Sequence, residues 1–213
     1  PHTGIAVSSA AQKSFRSPRI APTMAAQRIV LWFRNDLRLI DNYIVAEAAS
    51  AIASKGTCEV VPLYCFDPRH FSAVPKYGAR KTGLFRAQFL LESVNNLKSR
   101  LREIGSDLLV LHGRPEDEIP KLLLQEGTNE VLTNEEVTAE ELQVDSNLEE
   151  TLGPKNARLT KLWGSTLYHR DDLPMPVSSM QDVFTPWKDE LEAKSRIRAC
   201  IPPPSANDLG CIP

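Results

Sequence analysis

The stretch RIVLWFRNDLR, residues 28–38, decides the fold of the chain. Its first part, Arg28–Phe33, is a short apolar run rich in β-branched and aromatic residues, and a charged turn follows it directly. This pattern predicts a strand that is buried on both faces, as in parallel sheets with helices on either side. We therefore predict that Arg28–Phe33 is the central strand of such a sheet.

Further apolar runs alternate with helical patterns along the rest of the chain. Strands are predicted at Val60–Phe66, Leu108–His112, Glu130–Thr133 and Leu159–Leu162. Helices are predicted at Asp41–Ser54, Thr82–Ile104, Pro115–Gln125, Thr138–Leu152 and Gln181–Lys194. Strands separated by helices require crossover connections, so the pattern predicts a doubly wound, five-stranded parallel α/β sheet of the Rossmann-like kind.

Three local features refine this prediction. Pro62 lies inside the second apolar run, which indicates an irregular or edge strand. Thr138 and Glu141 have the spacing of a capping box at the start of a helix. Thr82 is predicted to cap the long helix, and the alternative is an anion site formed by residues 81–83 at the same helix start.

The composition is that of an ordinary globular protein. Of its 213 residues, 42% are hydrophobic and 24% are charged, as expected for a packed domain. The net charge of −2 excludes a protein that binds nucleic acid by charge alone. No apolar run approaches the roughly 18 residues that span a bilayer.

Charge and composition together divide the chain into three parts. Residues 1–27 contain basic side chains but no Asp or Glu, and they are rich in Ala, Ser and Pro. This composition predicts an organelle transit segment or a partner-binding arm, with a disordered arm of a cytosolic protein as the alternative. We predict that residues 28–195 form the α/β domain and that the Pro-rich residues 196–213 are a linker of the interdomain kind.

The four cysteines Cys58, Cys65, Cys200 and Cys211 lack the spacing of a metal site. We predict that all of them are reduced thiols and that Cys65 fills the core, with a Cys200–Cys211 disulfide as the alternative.

An acidic stretch lies between Lys121 and Lys155, where nine carboxylates occur without a single Lys or Arg. It is interpreted either as the solvated face of a helix or as a docking surface for a basic partner. Either surface would repel DNA phosphates.

Charged residues after two predicted strands are candidates for a site or for a structural turn. Arg34, Asp36 and Arg38 follow the first strand, and ligands bind at the carboxyl ends of strands in this fold. We expect at least one Arg–carboxylate pair there, with a structural role. His169 beside Asp171 is interpreted in the same way, because no second His lies nearby and neither a catalytic triad nor a nucleotide fingerprint occurs.

Taken together, five motifs resemble the N-terminal domain of the photolyase/cryptochrome family, most closely its DASH-type cryptochromes. They are LWFRNDLRLIDN (31–42), LYCFDPR (63–69), KTGLFRAQFLLESV (81–94), Gly113-x-Pro115-Glu116 and LWGSTLYHRDDLP (162–174). They occur in the family's order and cover about residues 28–195. Met175 and the pair Trp187-Lys188 depart from the residues usual in the family.

The resemblance implies the first of two domains, an α/β antenna domain. The family's second domain is helical, binds FAD and docks the DNA lesion, and none of its motifs occurs in this sequence. The resemblance therefore implies no catalytic residue, no metal ion and no direct DNA binding, so that this chain is not expected to be an enzyme.

The resemblance also implies where an antenna pigment would bind. It places a folate contact at Glu92 and the pigment ring near Trp32, Asn35, Cys65 and Asp67. The other wall of that pocket belongs to the second domain, so we expect no bound cofactor, or methenyltetrahydrofolate if the site is retained. The alternative for Glu92 is an ordinary solvent-facing residue.

Three functions are left open. The first is an orphan domain acting as a non-catalytic structural or interaction subunit of a plastid complex, peripheral to a thylakoid photosystem and bound through residues 1–27 and the vacant interdomain face. The second is a folate- or flavin-binding blue-light antenna or photoreceptor module. The third is an N-terminal fragment of a full DASH cryptochrome or photolyase. The expected location is the plastid, with the mitochondrion or cytoplasm as alternatives.

Overall fold

The computed structural model describes residues 27–55, 58–72, 78–125, 127–180 and 182–212. The predicted arm, residues 1–27, lies outside the described residues except for Gln27. The strands are β1 (Gln27–Phe33), β2 (Cys58–Phe66), β3 (Leu109–His112), β4 (Thr128–Asn134) and β5 (Ala157–Leu162). The helices are α1 (Tyr43–Lys55), α2 (Leu84–Glu103), α3 (Pro115–Glu118), α4 (Ala139–Leu152) and α5 (Phe184–Lys194).

The five strands form one sheet in the order β3-β2-β1-β4-β5, and every pairing is parallel. This confirms the predicted doubly wound α/β fold with β1 at its centre. Leu31 of β1 lies opposite Pro62 on one side and Leu132 on the other. After β1, the chain adds β2 and β3 on one side of it and then returns to add β4 and β5 on the other side. The direction of strand addition therefore reverses between β1 and β4, which is the topological switch point of the sheet.

Two hydrophobic cores cover the two faces of the sheet. Ile29, Leu31 and Phe33 pack with α1 and α2 on one face, and Val30 and Trp32 pack with α4 on the other. Alternate residues of a strand point to opposite faces, so the uninterrupted apolar run of β1 is what allows both cores to form.

The proline in β2 does not mark an edge strand. β2 lies between β1 and β3, and Pro62 is buried in register with Leu31. The edge interpretation of Pro62 was therefore wrong. Proline removes only one N–H from the ladder, and the fully buried Leu63 beside it offsets that loss by packing.

Two predicted helix starts differ from the observed ones. Thr138 occupies the N-cap position of α4, but its side chain makes no capping hydrogen bond, so the capping box with Glu141 is not formed. The N-cap of α2 is Gly83 and not Thr82, whose hydroxyl donates to the carbonyl oxygen of His70 at 2.7 Å. The Thr82 side chain thus ties the preceding loop together.

The helix predicted at Pro115–Gln125 is shorter than expected. The α-helix ends at Glu118, and a 3₁₀ turn over Ile119–Leu122 follows. Pro120 lacks the N–H that a continuing α-helix would need, which explains the change of helix type.

Cys65, Cys200 and Cys211 are free thiols, so the alternative, a Cys200–Cys211 disulfide, is not formed in this structure. Within the described ranges, no helix is long and apolar enough to cross a membrane. Residues 196–212 form no helix or strand, although Leu209 is fully buried. The boundary at residue 195 stays a prediction.

Replacing Leu31 by Ala tests the central position of β1. Leu31 is fully buried, and such truncations lower the free energy of unfolding by about 3 kcal/mol. Leu142→Ala is the matched control, because Leu142 is 46% exposed on α4. Urea denaturation measures both changes, and equal losses in the two variants would contradict the central placement.

Candidate functional site

Arg34 links the end of β1 to helix α4. Its Nη1 donates to Oδ1 of Asp145 at 2.7 Å, and the side chains are only 9% and 2% exposed. The Arg34 guanidinium carbon also lies 4.5 Å from the centre of the Trp32 ring. The expected Arg–carboxylate pair is therefore present, but the carboxylate comes from α4 and not from the turn itself.

Asp36 holds the turn after β1 in place. It accepts hydrogen bonds from the backbone N–H of Arg34 at 3.1 Å, from Nδ2 of Asn42 at 3.0 Å and from Nδ2 of Asn134. Asn42 and Asn134 are buried and belong to the start of α1 and the end of β4. Asp36 thus joins three elements at the switch point, which is a structural role.

Two carboxyl groups near Arg34 hold their protons unusually tightly. Burial raises the pKa of Asp145 despite its pairing with Arg34, and burial likewise raises the pKa of Glu136, although Asn35 donates to it at 2.8 Å. The folded protein therefore binds these protons more strongly than the unfolded chain does. Their contribution to the free energy of unfolding falls as the pH rises above roughly 4.

A second cluster forms where β2 ends. The Arg69 guanidinium donates to the carboxylates of Asp67 and Glu116 at 2.6–2.9 Å. Burial acts to raise the pKa of Asp67, but the hydrogen bonds from Arg69 outweigh it, and the pKa lies below its ordinary value. Because the Arg69 guanidinium binds both carboxylates, it holds the loop after β2 against α3.

The thiol of Cys65 is unreactive in this environment. Its thiol donates to the carbonyl oxygen of Gly113 at 3.3 Å, and burial together with the charge of Asp67 raises its pKa to about 12. A thiol in this state is protonated at neutral pH and is not a nucleophile.

The outer face of α2 carries large apolar side chains in contact with solvent. Leu84, Phe85 and Phe89 are 78%, 85% and 72% exposed. Glu92 is exposed as well and accepts a hydrogen bond from Gln88 at 2.9 Å. Residues three or four apart are neighbours on a helix, so Glu92 lies next to Phe89 on the side opposite the buried residues. We call Leu84, Phe85, Phe89 and Glu92 the α2 outer face.

The structure brings four of the five predicted pigment contacts to one edge of the sheet. Trp32 and Asn35 lie at the end of β1, and Cys65 and Asp67 lie at the end of the neighbouring β2. In the described ranges, no hydrogen bond or ion pair joins Glu92 to any of these four. All four are buried or hydrogen-bonded to other protein groups, so their role in pigment binding stays a prediction.

Phe85 and Phe89 were missed as candidate site residues. The signal was present, because positions i and i+4 of a helix share one side. Phe85 and Phe89 have this spacing and lie opposite the apolar stripe of Val94, Leu97 and Leu101, which is buried.

Five of the nine carboxylates in the acidic stretch form ion pairs with basic side chains of the domain. The pairs are Glu130–Arg158, Glu135–Arg170, Glu140–Lys81, Asp145–Arg34 and Glu149–Lys161. Because each of these carboxylates already has a basic partner, the stretch offers much less free negative charge than its sequence indicates. The interpretation as a docking surface for a basic partner stays a prediction.

His169 has a local structural role. Its Nδ1 accepts a hydrogen bond from the backbone N–H of Asp171 at 3.2 Å and so caps a short 3₁₀ turn. Across the residues that the structure describes, no group of three His, Cys, Asp or Glu side chains could hold a metal ion.

Comparisons with known proteins agree with this geometry. The family model for DNA photolyase matches residues 29–206. Cryptochrome DASH, chloroplastic/mitochondrial, of Ostreococcus tauri is 44% identical over 203 residues, covering 89% of this chain and 37% of the relative. The protein of the same name from Solanum lycopersicum is 37% identical over 207 residues, covering 86% and 35%.

A solved structure shows the same arrangement. The crystal structure of Synechocystis cryptochrome superimposes with a TM-score of 0.78 at 35% identity, covering 90% of this chain and 38% of that one. The chain thus spans little more than a third of the length of the relatives it matches.

Replacing Asp36 by Ala tests the structural role of the turn after β1. The change removes the acceptor of the buried Asn134 amide and one acceptor of Asn42, whose amide still donates to the carbonyl oxygen of Arg38 at 2.9 Å. We expect the free energy of unfolding to fall by about 2 kcal/mol, because a buried donor is left unpaired. Asp189→Ala is the control, because the Asp189 side chain is 64% exposed on α5. Urea denaturation measures both. An Asp36→Ala protein of unchanged stability that lost a bound ligand would assign the site a binding role instead.

Proposed function

Because the chain belongs to the DNA photolyase family, we propose that it is the N-terminal α/β half of a DASH-type cryptochrome and docks onto the helical half. The observation that carries this proposal is the α2 outer face. Large apolar side chains that adjoin one another and face solvent mark interaction surfaces, and Leu84, Phe85 and Phe89 are each more than 70% exposed.

Apolar side chains are also exposed at the start of α4, at the carboxyl edge of the sheet. Lys81, just before α2, pairs with Glu140 at the start of α4 at 2.6 Å. Close to that ion pair, Val137 and Leu142 are 66% and 46% exposed. The starts of α2 and α4 therefore both expose apolar residues at the carboxyl edge of the sheet. One large partner would cover both of them.

The length of the relatives supports the same partner. This chain covers only 37% of the Ostreococcus tauri protein and 38% of the Synechocystis cryptochrome, so each of them contains more than half its length outside the match. On this proposal, the chain supplies no catalytic group itself, and any flavin chemistry belongs to the other half.

A subunit of a plastid complex would use the same surface. The chloroplastic/mitochondrial names of two relatives and the composition of residues 1–27 support an organelle, and we propose the plastid. We favour the two-half cryptochrome over a photosystem subunit, because the first needs only a partner that the relatives already contain.

Mixing experiments test the docking proposal. The probe is the separately produced helical half of the Ostreococcus tauri relative, and isothermal titration calorimetry measures its binding to this chain. Phe85→Ser together with Phe89→Ser should weaken binding by at least about tenfold, because aromatic anchors dominate interfaces. Phe184→Ser, which changes a 69% exposed Phe on α5, is the matched control. The proposal fails if the unchanged chain does not bind the probe or if the double variant binds as well.

The α2 outer face also favours a pigment function, as the second candidate. Glu92 adjoins the exposed Phe89, so a planar pterin ring could stack on the aromatic side chain while its N–H groups donate to the carboxylate. These residues fit methenyltetrahydrofolate, which would supply near-ultraviolet absorption when bound.

Spectroscopic titration tests the pigment site. Methenyltetrahydrofolate is added to the complex of this chain with the helical half, and binding is followed through its near-ultraviolet band. We expect Glu92→Gln to weaken binding by about tenfold, because a neutral amide is a poorer acceptor than a carboxylate. Glu150→Gln on α4, also exposed, should leave the affinity unchanged. Equal affinities of the Glu92 variant and the unchanged chain would contradict this site.

A further inference from the structure

Two half-buried glutamates lie where the turn after β1 meets the start of α4. Glu136 precedes α4, and Glu141 belongs to its first turn. In the part of the chain that the structure describes, neither of them forms an ion pair, although Glu135 and Glu140 beside them do.

The cations of the surrounding elements are bound to other carboxylates. The pairs are Arg34 after β1 with Asp145, Lys81 before α2 with Glu140, and Arg170 after β5 with Glu135. The two glutamates therefore carry negative charge that these neighbouring elements do not neutralise by direct contact.

One carboxylate oxygen of Glu141 lacks a hydrogen-bond donor. Oε2 of Glu141 is shielded from solvent, and among the described residues it has no hydrogen-bond partner. A buried acceptor without a donor is costly, above all when it is charged. Oε2 of Glu141 is therefore the oxygen at which a neighbouring donor would be most favourable.

The neighbouring Glu136 can supply that donor when it carries a proton. Its Oε1 accepts a hydrogen bond from Nδ2 of Asn35 at 2.8 Å. Burial raises the pKa of Glu136, and the nearby negative charges of Glu141 and Asp36 raise it as well, whereas the Asn35 hydrogen bond and the charge of Arg34 act against them. Glu141 thus lies close enough for its charge to act on Glu136.

From this arrangement we propose that Glu136 and Glu141 bind one proton jointly, with the O–H of Glu136 donating to Oε2 of Glu141. Solvent supplies the proton, and no other bond forms or breaks. The shared proton removes one of the two negative charges and gives the buried oxygen of Glu141 its missing donor. The loop between β4 and α4 is thereby a proton-binding site.

The shared proton makes docking of the helical half dependent on pH, a consequence that rests on the docking function proposed above. Val137 follows Glu136 directly and is 66% exposed at the edge that the helical half would cover. Covering this edge removes water from Glu136, and loss of solvent disfavours a carboxylate. The docked state then binds the proton more tightly than the free state, so the affinity falls as the pH rises.

Carboxyl-carbon NMR on the free, isotope-labelled chain tests the proton site. Two groups that share a proton titrate jointly, so the carboxyl carbons of Glu136 and Glu141 should each report two steps. In the Glu141→Gln variant, the Glu136 carbon should show one step. Its midpoint should be lower by at least about one pH unit, which is a tenfold weaker proton affinity.

Glu140→Gln is the matched control for the titration. It removes the same charge from the adjacent residue, whose side chain is 68% exposed and bound to Lys81, and the two-step curves should persist. Single, independent steps at Glu136 and Glu141 in the unchanged chain would overturn the proposal. A Glu136 midpoint that Glu141→Gln leaves in place would overturn it as well.

Calorimetry with the separately produced helical half of the Ostreococcus tauri relative tests the pH dependence. Titrations in buffers of different ionisation enthalpy measure the protons taken up on docking, which Glu141→Gln should lower and the exposed Glu150→Gln should not. We expect the affinity to fall at least about threefold between roughly pH 5 and pH 8, which corresponds to a rise of about half a pH unit in the Glu136 midpoint on docking.

The two experiments separate the proton site from the docking function. Docking without proton uptake would refute the pH dependence. A helical half that does not bind at any pH would contradict the docking function, whereas the titration of the free chain decides on the proton site in either case.

Discussion

The burial of β1 on both faces is the constraint from which the other elements follow. Val30, Leu31 and Phe33 are all 0% exposed, and a single helical layer could cover only one side of them. Helices on both faces require crossover connections, and crossovers make the strands parallel. All five carboxyl ends then lie at one edge, where charged and amide side chains gather because the backbone turns away from the core there.

The fold was predictable because its signals are local. Apolar runs and helical spacing can be counted along the chain, and they placed all five strands and the central position of β1. The errors came from features that packing decides. Pro62 was placed at an edge because its missing N–H was considered without the burial of β2, and the capping box at Thr138 assumed a side-chain orientation that spacing alone does not determine.

The candidate site was less predictable than the fold, because its contacts join elements that are distant in the sequence. Arg34 was expected to have a carboxylate partner, but Asp145 is 111 residues away along the chain, and only the packing of α4 brings the two together. Arg69 is similar, since Glu116 reaches it from α3 across 47 residues. In contrast, the exposure of Phe85 and Phe89 follows from helical spacing, which the sequence contains in full. Contacts between distant elements need the tertiary structure, and exposure along one helix does not.

The state of Cys65 has a consequence for chemical labelling of this protein. With a pKa of about 12, its thiolate fraction near pH 8 is on the order of one in ten thousand, and its burial keeps bulky reagents away. Cys200 and Cys211 are exposed and lie on either side of the segment that runs from Ile201 to Leu209. A maleimide dye would therefore react at Cys200 and Cys211 before Cys65, and replacing the half-buried Cys58 would confine a dye pair to the two thiols that flank that segment.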